Sequence, residues 1–276
     1  MRTITIIAYQ RPHLLVSMLR SLIANDLTGW RIALAIEPSP MAGEVAHMAA
    51  GVLAGRDSDI RINDAVLGIA ENGFQSIERV FAGGAQLNLY LEEDMLVAPD
   101  ATQLAAWYFA NHKADWLCLN LIGGGCASAG LMSNPDYPDM LHLGRTFNSL
   151  GFAVRREEWD RHMRAAWRKE AEPVVKFDGA LTGGWDWAVS SMLMSSPNLR
   201  TVQPVLARAT HTGRRGGQHC TADFHDEAFA ELPMFAGSPS AMTYRLVPQE
   251  LLPSVVRRHA RLWLEMTWAW KALAQR

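Results

Sequence analysis

The chain has 276 residues, of which 49% are hydrophobic and 20% are charged, a composition typical of a globular protein with a sizeable core. Its formal net charge of −2 gives no general attraction to nucleic acids or anionic membranes. The three cysteines lack CxxC spacing, which argues against a disulfide framework or a zinc site. They suit a reducing compartment, and the N-terminal apolar run is too short for a signal peptide or a membrane span, so we expect a cytoplasmic protein.

Strands and helices alternate through the first half of the chain. Short apolar or alternating runs predict strands at residues 3–8, 30–36, 59–63, 87–92 and 115–122. Helical spacing of apolar residues predicts helices at residues 12–23, 42–53 and 68–82, and a fourth helix that opens at Pro99 and Asp100. Because the connections are short, this alternation predicts a largely parallel sheet covered by helices on both faces.

The second half of the chain is less regular. Glycine, serine, asparagine and proline predict a loop that runs to about Leu141. Further predicted elements are a strand at 151–154, a charged helix at 156–170, a late strand at 199–206 and a helical run at 248–274. We expect one main domain over residues 1–240 and a helical extension over residues 241–276. The extension has a broad apolar face beside several arginines, which packing on the domain explains most simply, with a membrane-surface anchor or an acceptor platform as alternatives.

An acidic triplet, Glu92, Glu93 and Asp94, ends the predicted strand at residues 87–92. The carboxyl ends of strands are where open α/β sheets bind their ligands. Three adjacent carboxylates repel one another, so we expect a cation to compensate them, most simply a divalent metal held by oxygen ligands. A solvated acidic turn is the alternative interpretation.

The usual glycine motifs for phosphate binding are absent from the sequence. The turn after the first strand has no GxGxxG and the chain has no GxxxxGK[ST], which argues against a Rossmann dehydrogenase and a P-loop enzyme. Instead, Arg11 follows the first predicted strand and Glu37 ends the second. Together with the triplet they suit a nucleoside diphosphate: Arg11 would contact phosphate or base, Glu37 would contact base or ribose, and a metal would lie at the triplet.

Three segments carry a family resemblance: LEEDMLVAPD, GGWDWAVS and RATHTGRRGGQHCTADFHD. In order and spacing they resemble the metal-binding segment, the W-D-D-W segment and the glycine-rich run of the N-acetylglucosaminyltransferase I family. Before residue 87 the chain resembles only GT-A glycosyltransferases in general. The resemblance implies a GT-A-like fold, in which a mixed, mainly parallel α/β sheet is flanked by helices, here with a helical C-terminal extension.

By position, the resemblance implies that Asp94 is the protein's direct ligand to Mn²⁺ or Mg²⁺. Glu92 and Glu93 would hydrogen-bond the donor sugar and the ribose. Glu93 stands where the family has aspartate, which keeps the charge but places it on a longer side chain.

The nucleotide contacts implied by the resemblance come from four further residues. Arg11 and Glu37 would hold the nucleotide, with Glu37 again standing where the family has aspartate. Asn72, at the start of the helix before the triplet strand, and Trp185, in the W-D-D-W-like segment, are further predicted contacts.

Asp186 is the candidate general base. It lies in the first turn of a predicted helix, one position from an apolar stripe, where the helix dipole keeps a carboxylate ionised. An ionised carboxylate can take the proton of an acceptor hydroxyl as that hydroxyl attacks the anomeric carbon opposite the leaving diphosphate, which inverts the carbon. The alternative is a helix-capping aspartate beside a core tryptophan.

The glycine-rich stretch carries several cationic or titratable candidates. Arg214 and Arg215 could close over the diphosphate as a lid, with exposed arginines on a loop as the alternative. Arg208 would instead anchor the loop. His211 and His219 would be supporting groups or a metal ligand, against an ordinary polar role.

The resemblance therefore implies metal-dependent, inverting transfer of a sugar from a nucleotide sugar, UDP-GlcNAc or another UDP-linked hexose, to an acceptor hydroxyl. The acceptor would be a glycan, a lipid-linked sugar, a protein or a modified nucleic-acid base, although the net charge does not favour nucleic acid. A non-catalytic nucleotide-sugar or glycan-binding module is one alternative. A sugar nucleotidyltransferase is another, but its glycine-rich basic N-terminal loop is absent.

Overall fold

The computed structural model describes residues 1–123, 129–169, 174–175, 181–182, 184–215, 220–262 and 265. The strands are β1 (Arg2–Ala8), β2 (Trp30–Ile36), β3 (Ser58–Ile62), β4 (Leu87–Glu92), β5 (Met95–Val97), β6 (Trp116–Asn120), β7 (Met140–Gly144), β8 (Phe152–Arg155), β9 (Val174–Val175), β10 (Leu181–Thr182), β11 (Arg200–Pro204), β12 (Ala209–His211) and β13 (Arg245–Leu246). The helices are α1 (Pro12–Ile23), α2 (Ala42–Val52), α3 (Gly68–Ala82), α4 (Ala101–Asn111), α5 (Ala129–Met132), α6 (Arg156–Glu158), α7 (Arg164–Arg168), α8 (Trp185–Ser195), α9 (Ala222–Ala228) and α10 (254–262). A π-helical turn, Trp159–Met163, joins α6 to α7.

Nine of the described strands form one sheet in the order β13-β7-β11-β6-β8-β4-β1-β2-β3. Within it β3, β2, β1, β4, β6 and β11 run in one direction, while β8, β7 and β13 run in the other. The expected mixed, mainly parallel sheet flanked by helices is therefore confirmed. Because β4, β1 and β2 are parallel neighbours, their carboxyl ends meet at one edge of the sheet.

Helices cover both faces of this sheet, and successive strand residues point into two separate cores. Ile4 of β1 and Leu89 of β4 belong to a core shared with α1, α2 and α4. Tyr90 of β4 belongs to the opposite core, which α3, α8, Trp159 and Trp167 fill. The alternation of residues 87–92 therefore places successive side chains in the two cores, as expected for a strand covered on both faces.

Three short strands lie where the sequence predicts a loop or a link. β7 pairs with β11 and β13, and β5 pairs antiparallel with β12, with Met95 opposite His211. These strands are three to five residues long, too short to show a period of their own, and each forms because a partner strand lies beside it. The β5–β12 pair brings the segment after Arg208 next to the acidic triplet.

A buried ion pair holds the start of that segment. Arg208 and Asp100 are both 0% exposed, and Arg208 Nε lies 2.9 and 2.8 Å from the two Asp100 carboxylate oxygens. Tyr244 Oη donates to Asp100 Oδ2 at 2.9 Å. Asp100 precedes α4 as predicted, but its carboxylate makes no capping hydrogen bond because it binds Arg208 and Tyr244 instead. These contacts support an anchoring role for Arg208.

The predicted C-terminal extension joins the main sheet. Its strand β13 pairs with β7, and Leu252 and Val256 pack against Val205 in a small separate core. α10 forms part of the predicted helical run, whereas residues 263–264 and 266–276 lie outside the described chain. None of the described helices has the length and apolar character needed to cross a membrane.

We expect Arg208→Met to lower the free energy of unfolding by roughly 3–5 kcal/mol, because it leaves the buried Asp100 carboxylate without its cation. Urea unfolding measures the change. Arg214→Met is the matched control, since the Arg214–Asp226 pair also joins arginine to aspartate but is exposed, and we expect a much smaller loss there. Equal losses in the two variants would contradict the role given to burial.

Candidate functional site

The acidic triplet ends β4 at the carboxyl edge of the sheet. Glu93 and Asp94 are only 3% and 5% exposed, so the alternative of a solvated acidic turn is wrong. Ile7 of β1 lies opposite Glu92, and Glu93 N donates to Ile7 O at 3.1 Å. The pairing of β1 with β4 therefore carries the residues that follow β1 directly to the triplet.

Arg11 is the cation that compensates two of the three carboxylates. Its Nε lies 2.7 Å from Glu93 Oε1, and its Nη2 lies 2.8 Å from Asp94 Oδ2. Tyr9 N donates to Glu93 Oε2 at 2.9 Å. Burial works against the charge of Arg11, but Asp94 and Glu93 raise the pKa of the guanidinium above its usual value. The predicted nucleotide contact Arg11 is thus in direct contact with the triplet.

Asp94 also accepts hydrogen bonds from the end of β12 and the residue that follows it. His211 Nε2 donates to Asp94 Oδ2 at 3.1 Å, and Thr212 donates to the Asp94 carbonyl through its backbone N at 2.7 Å and its hydroxyl at 2.9 Å. Burial alone would raise the pKa of Asp94, but His211 and Arg11 hold it below the usual value. Asp94 Oδ1 is buried without a hydrogen-bond partner among the described residues. Buried carboxylate oxygens normally have a partner, so this oxygen is a candidate ligand-binding atom.

Gly213 allows this close approach. A Cβ at Gly213 would lie 2.5 Å from Asp94 Oδ2 and 2.8 Å from His211 Nε2, which is closer than a real Cβ comes to either atom. A residue without a side chain is therefore required where the backbone passes the carboxylate.

Glu92, the third carboxylate, has a different environment from Asp94. Burial, repulsion from Asp94 and repulsion from Asp186 raise the pKa of Glu92 to about 8, against a hydrogen bond from Tyr90 that lowers it. Tyr90 Oη donates to Glu92 Oε1 at 3.2 Å. A carboxyl group with such a pKa is mostly protonated at neutral pH and can donate a hydrogen bond. This repulsion places Asp186 near Glu92.

Helix α8 presents Asp186 from its first turn. The preceding Trp185 is 7% exposed and stacks on Trp167 with ring centroids 3.6 Å apart, so it fixes the start of the helix on the core. Gly184 has φ +148°, a conformation that favours glycine, and a Cβ there would lie 3.0 Å from Asp186 Oδ1. Trp185 therefore packs on the core next to Asp186, and its predicted nucleotide contact stays a prediction.

A second polar group lies beside the triplet at the ends of β2 and β3. Glu37 N donates to Ala8 O at 2.8 Å, and Glu37 Oε2 accepts from Leu67 N at 2.8 Å. Glu37 Oε1 is buried and has no hydrogen-bond partner among the described residues. Asn72 Oδ1 accepts from Asn63 Nδ2 at 3.0 Å. The predicted contacts Glu37 and Asn72 therefore line the same sheet edge as Arg11.

The side chain of the predicted lid residue Arg214 has a partner outside the triplet. Arg214 pairs with Asp226 through two contacts of 2.6 Å, and both side chains are exposed. Arg215 is exposed as well. His219 lies outside the described residues, so its predicted role stays a prediction.

Tyr90, Thr212 and His225 are site residues that the sequence reasoning missed. His225 Nε2 donates to His211 O at 3.0 Å and so supports the residue that contacts Asp94. Tyr90 had a usable signal, because it lies two positions before Glu92 and alternation puts both side chains on one face of the strand. Thr212 and His225 had none, since their contacts depend on the β5–β12 pairing.

Comparisons with known proteins add the fold relationship. No protein-family model and no curated protein matches the chain. One matching solved structure is the mannosyltransferase PcManGT from Pyrobaculum calidifontis in complex with GDP-Man and Mn²⁺, with a TM-score of 0.50 and 11% identity over 75% of this chain and 55% of that chain. Another is S. aureus TarS 1-349 in complex with UDP-GlcNAc, with a TM-score of 0.54 and 10% identity over 79% of this chain and 60% of that chain.

The chain shares the mixed α/β fold of these two solved structures. At identities of 10% and 11% the likeness concerns the fold alone, and the matched region spans little more than half of each solved chain. The expected GT-A-like architecture is confirmed. The closer resemblance to N-acetylglucosaminyltransferase I stays a prediction.

We expect Gly213→Ala to lower the free energy of unfolding by about 1–3 kcal/mol, because the added methyl group forces His211 and Asp94 apart. Thermal and urea unfolding measure the change. Gly43→Ala is the control: nothing lies within 4 Å of its added Cβ, and alanine is the better helix former, so stability should stay equal or rise. Wild-type stability in Gly213→Ala would show that the segment does not need this close contact.

Proposed function

We propose that the chain is a metal-dependent, inverting glycosyltransferase that moves a sugar from a UDP-linked donor to an acceptor hydroxyl. The observation that carries the proposal is the acidic triplet, enclosed at the carboxyl end of a central strand, with Asp186 near enough to help raise the pKa of Glu92. Two solved proteins of matching fold bind nucleotide sugars, GDP-Man in one and UDP-GlcNAc in the other. This supports a nucleotide-sugar donor here.

The surroundings of Asp94 suit a divalent cation. Asp94 Oδ1 lacks a partner, and Oδ2 lies 3.1 Å from His211 Nε2, so a carboxylate and an imidazole face each other. Within the described residues no three His, Cys, Asp or Glu side chains form a metal cluster. Asp94 Oδ1 would therefore hold Mn²⁺ or Mg²⁺ together with the donor's diphosphate, as is usual for cations that accompany phosphates, while His211 would support the carboxylate through Oδ2. The bound cation would stabilise the charge that develops on the leaving diphosphate.

Glu37 supplies a candidate contact to the base. Its Oε2 accepts from Leu67 N, and its Oε1 is buried without a hydrogen-bond partner among the described residues. Uracil presents one imide N–H, which this free oxygen would accept. The contact supports a UDP-linked donor.

Arg11 and Glu93 would bind the ribose-diphosphate part of the donor. Arg11 Nη1 is buried without a partner among the described residues, which leaves one charged donor for a phosphate oxygen. Glu93 already accepts from Arg11 and Tyr9, but its carboxylate has further lone pairs for ribose hydroxyls. Asn72 is a weaker candidate, because Asn63 already uses its side-chain oxygen.

The acid–base roles follow from the different environments of Asp186 and Glu92. Asp186, in the first turn of α8, is favoured as a carboxylate by the helix dipole and would take the proton of the acceptor hydroxyl. Glu92, with its pKa raised to about 8, would donate a hydrogen bond to a sugar hydroxyl, and Tyr90 would hold it in place. The lid roles of Arg214, Arg215 and His219 remain part of the proposal, and closure of Arg214 would require its pair with Asp226 to break.

We expect Asp186→Asn to reduce turnover by about 10²–10⁴-fold while leaving donor affinity nearly unchanged, because only the proton acceptor is removed. Release of UDP from UDP-GlcNAc in the presence of Mn²⁺ measures turnover, and calorimetry measures affinity. Asp223→Asn is the control, since Asp223 occupies the first turn of α9. Donor binding without turnover in the wild-type chain would instead favour a non-catalytic binding module.

A further inference from the structure

The end of the described chain carries an exposed apolar surface. Leu251, Val255 and Leu262 are 67%, 41% and 37% exposed, unusual values for large apolar side chains in this molecule. The segment that bears them is nevertheless anchored, because Leu252 and Val256 are 3% and 0% exposed within their small core. The three exposed side chains therefore project from a segment that is itself packed on the domain.

Three arginines lie among these apolar side chains. Arg257, Arg258 and Arg261 are all exposed. Within the described residues Arg257 and Arg258 form no ion pair, and Arg261 lies 3.6 Å from Glu265. In α10, Val255, Arg258 and Leu262 follow the i, i+3, i+7 spacing that places side chains on one helical face. Glu250 and Glu265 are also exposed, so the three arginines leave the local surface apolar with a small excess of positive charge, although the whole chain has a net charge of −2.

This surface lies near the carboxyl edge of the sheet. Val205, against which Leu252 and Val256 pack, directly follows β11. β11 runs parallel to β4 within the sheet, so its end lies at the edge that also carries the acidic triplet. A surface bound at α10 would therefore approach the molecule from the side of the candidate site.

We propose that this surface docks on the face of an anionic lipid bilayer. The surface consists of Leu251, Val255, Leu262, Arg257, Arg258 and Arg261. The apolar side chains would be buried at the boundary between headgroups and acyl chains. The arginines beside them would be attracted to the anionic headgroups. Docking of this kind does not require a helix that crosses the membrane. The proposal does not depend on the glycosyltransferase reaction, and its test needs no substrate.

The test is sedimentation of the full chain with vesicles of phosphatidylcholine alone and of phosphatidylcholine mixed with phosphatidylglycerol. We expect binding to the anionic vesicles, weakened by salt, and little binding to phosphatidylcholine alone. Arg257→Gln with Arg258→Gln should weaken binding by about fivefold for each arginine removed. Arg20→Gln with Arg31→Gln changes the net charge equally at other exposed positions and should bind as the wild type does.

The apolar contribution is tested separately with Leu251→Ser and Val255→Ser, two exposed positions at which folding should be preserved. We expect this double variant to lose anionic-vesicle binding while keeping the wild-type unfolding midpoint. Absence of wild-type binding at low salt, or equal loss in the Arg20 and Arg31 control, would overturn the proposal. Concentration-dependent self-association that disappears in the Leu251 and Val255 variant, without vesicle binding, would overturn it by identifying a second copy as the occupant.

Discussion

The site depends on the contact between the Arg11 guanidinium and the carboxylates of Glu93 and Asp94. Without a cation, carboxylates crowded at the end of one buried strand would repel one another and lose hydration. β1 and β4 are parallel neighbours, so the residue that follows β1 arrives where β4 ends. The sheet thus brings its own counter-charge to the triplet, and it does so with a residue that still has one donor, Nη1, without a partner among the described residues.

Other contacts arrange the site around that ion pair. The β5–β12 pair and the buried Arg208–Asp100 pair carry His211 and Gly213 to Asp94. The stack of Trp185 on Trp167 fixes the start of α8, from which Asp186 raises the pKa of Glu92. The result is a set of carboxyl groups with different pKa values, because that of Asp94 is lowered and that of Glu92 is raised to about 8. Such a difference suits the proposed reaction, because metal binding and hydrogen-bond donation require opposite protonation states.

Local sequence patterns predict those helices and strands whose formation depends on one stretch of sequence alone. α3 spans the predicted residues 68–82 because Phe74, Ile77 and Phe81 repeat at helical spacing and face one core. The acidic end of β4 likewise predicts a ligand-binding edge from a strand and its last residues. Contacts between distant residues have no such signal: Arg208 reaches Asp100 across 108 positions, and His211 reaches Asp94 across 117. For the same reason the stack of Trp185 on Trp167 has no signal in the local sequence.

The most direct measurement is the thermal unfolding of the wild-type chain and of Asp94→Ala with UDP-GlcNAc and GDP-Man, each with and without Mn²⁺. We expect UDP-GlcNAc to stabilise the wild type only with Mn²⁺, by ~2.7 kcal/mol at a hundred times its dissociation constant. GDP-Man should have a smaller effect, and Asp94→Ala should show no metal-dependent effect. Absence of stabilisation by either nucleotide sugar, or equal stabilisation of both proteins without metal, would contradict a metal-dependent UDP-sugar site at Asp94.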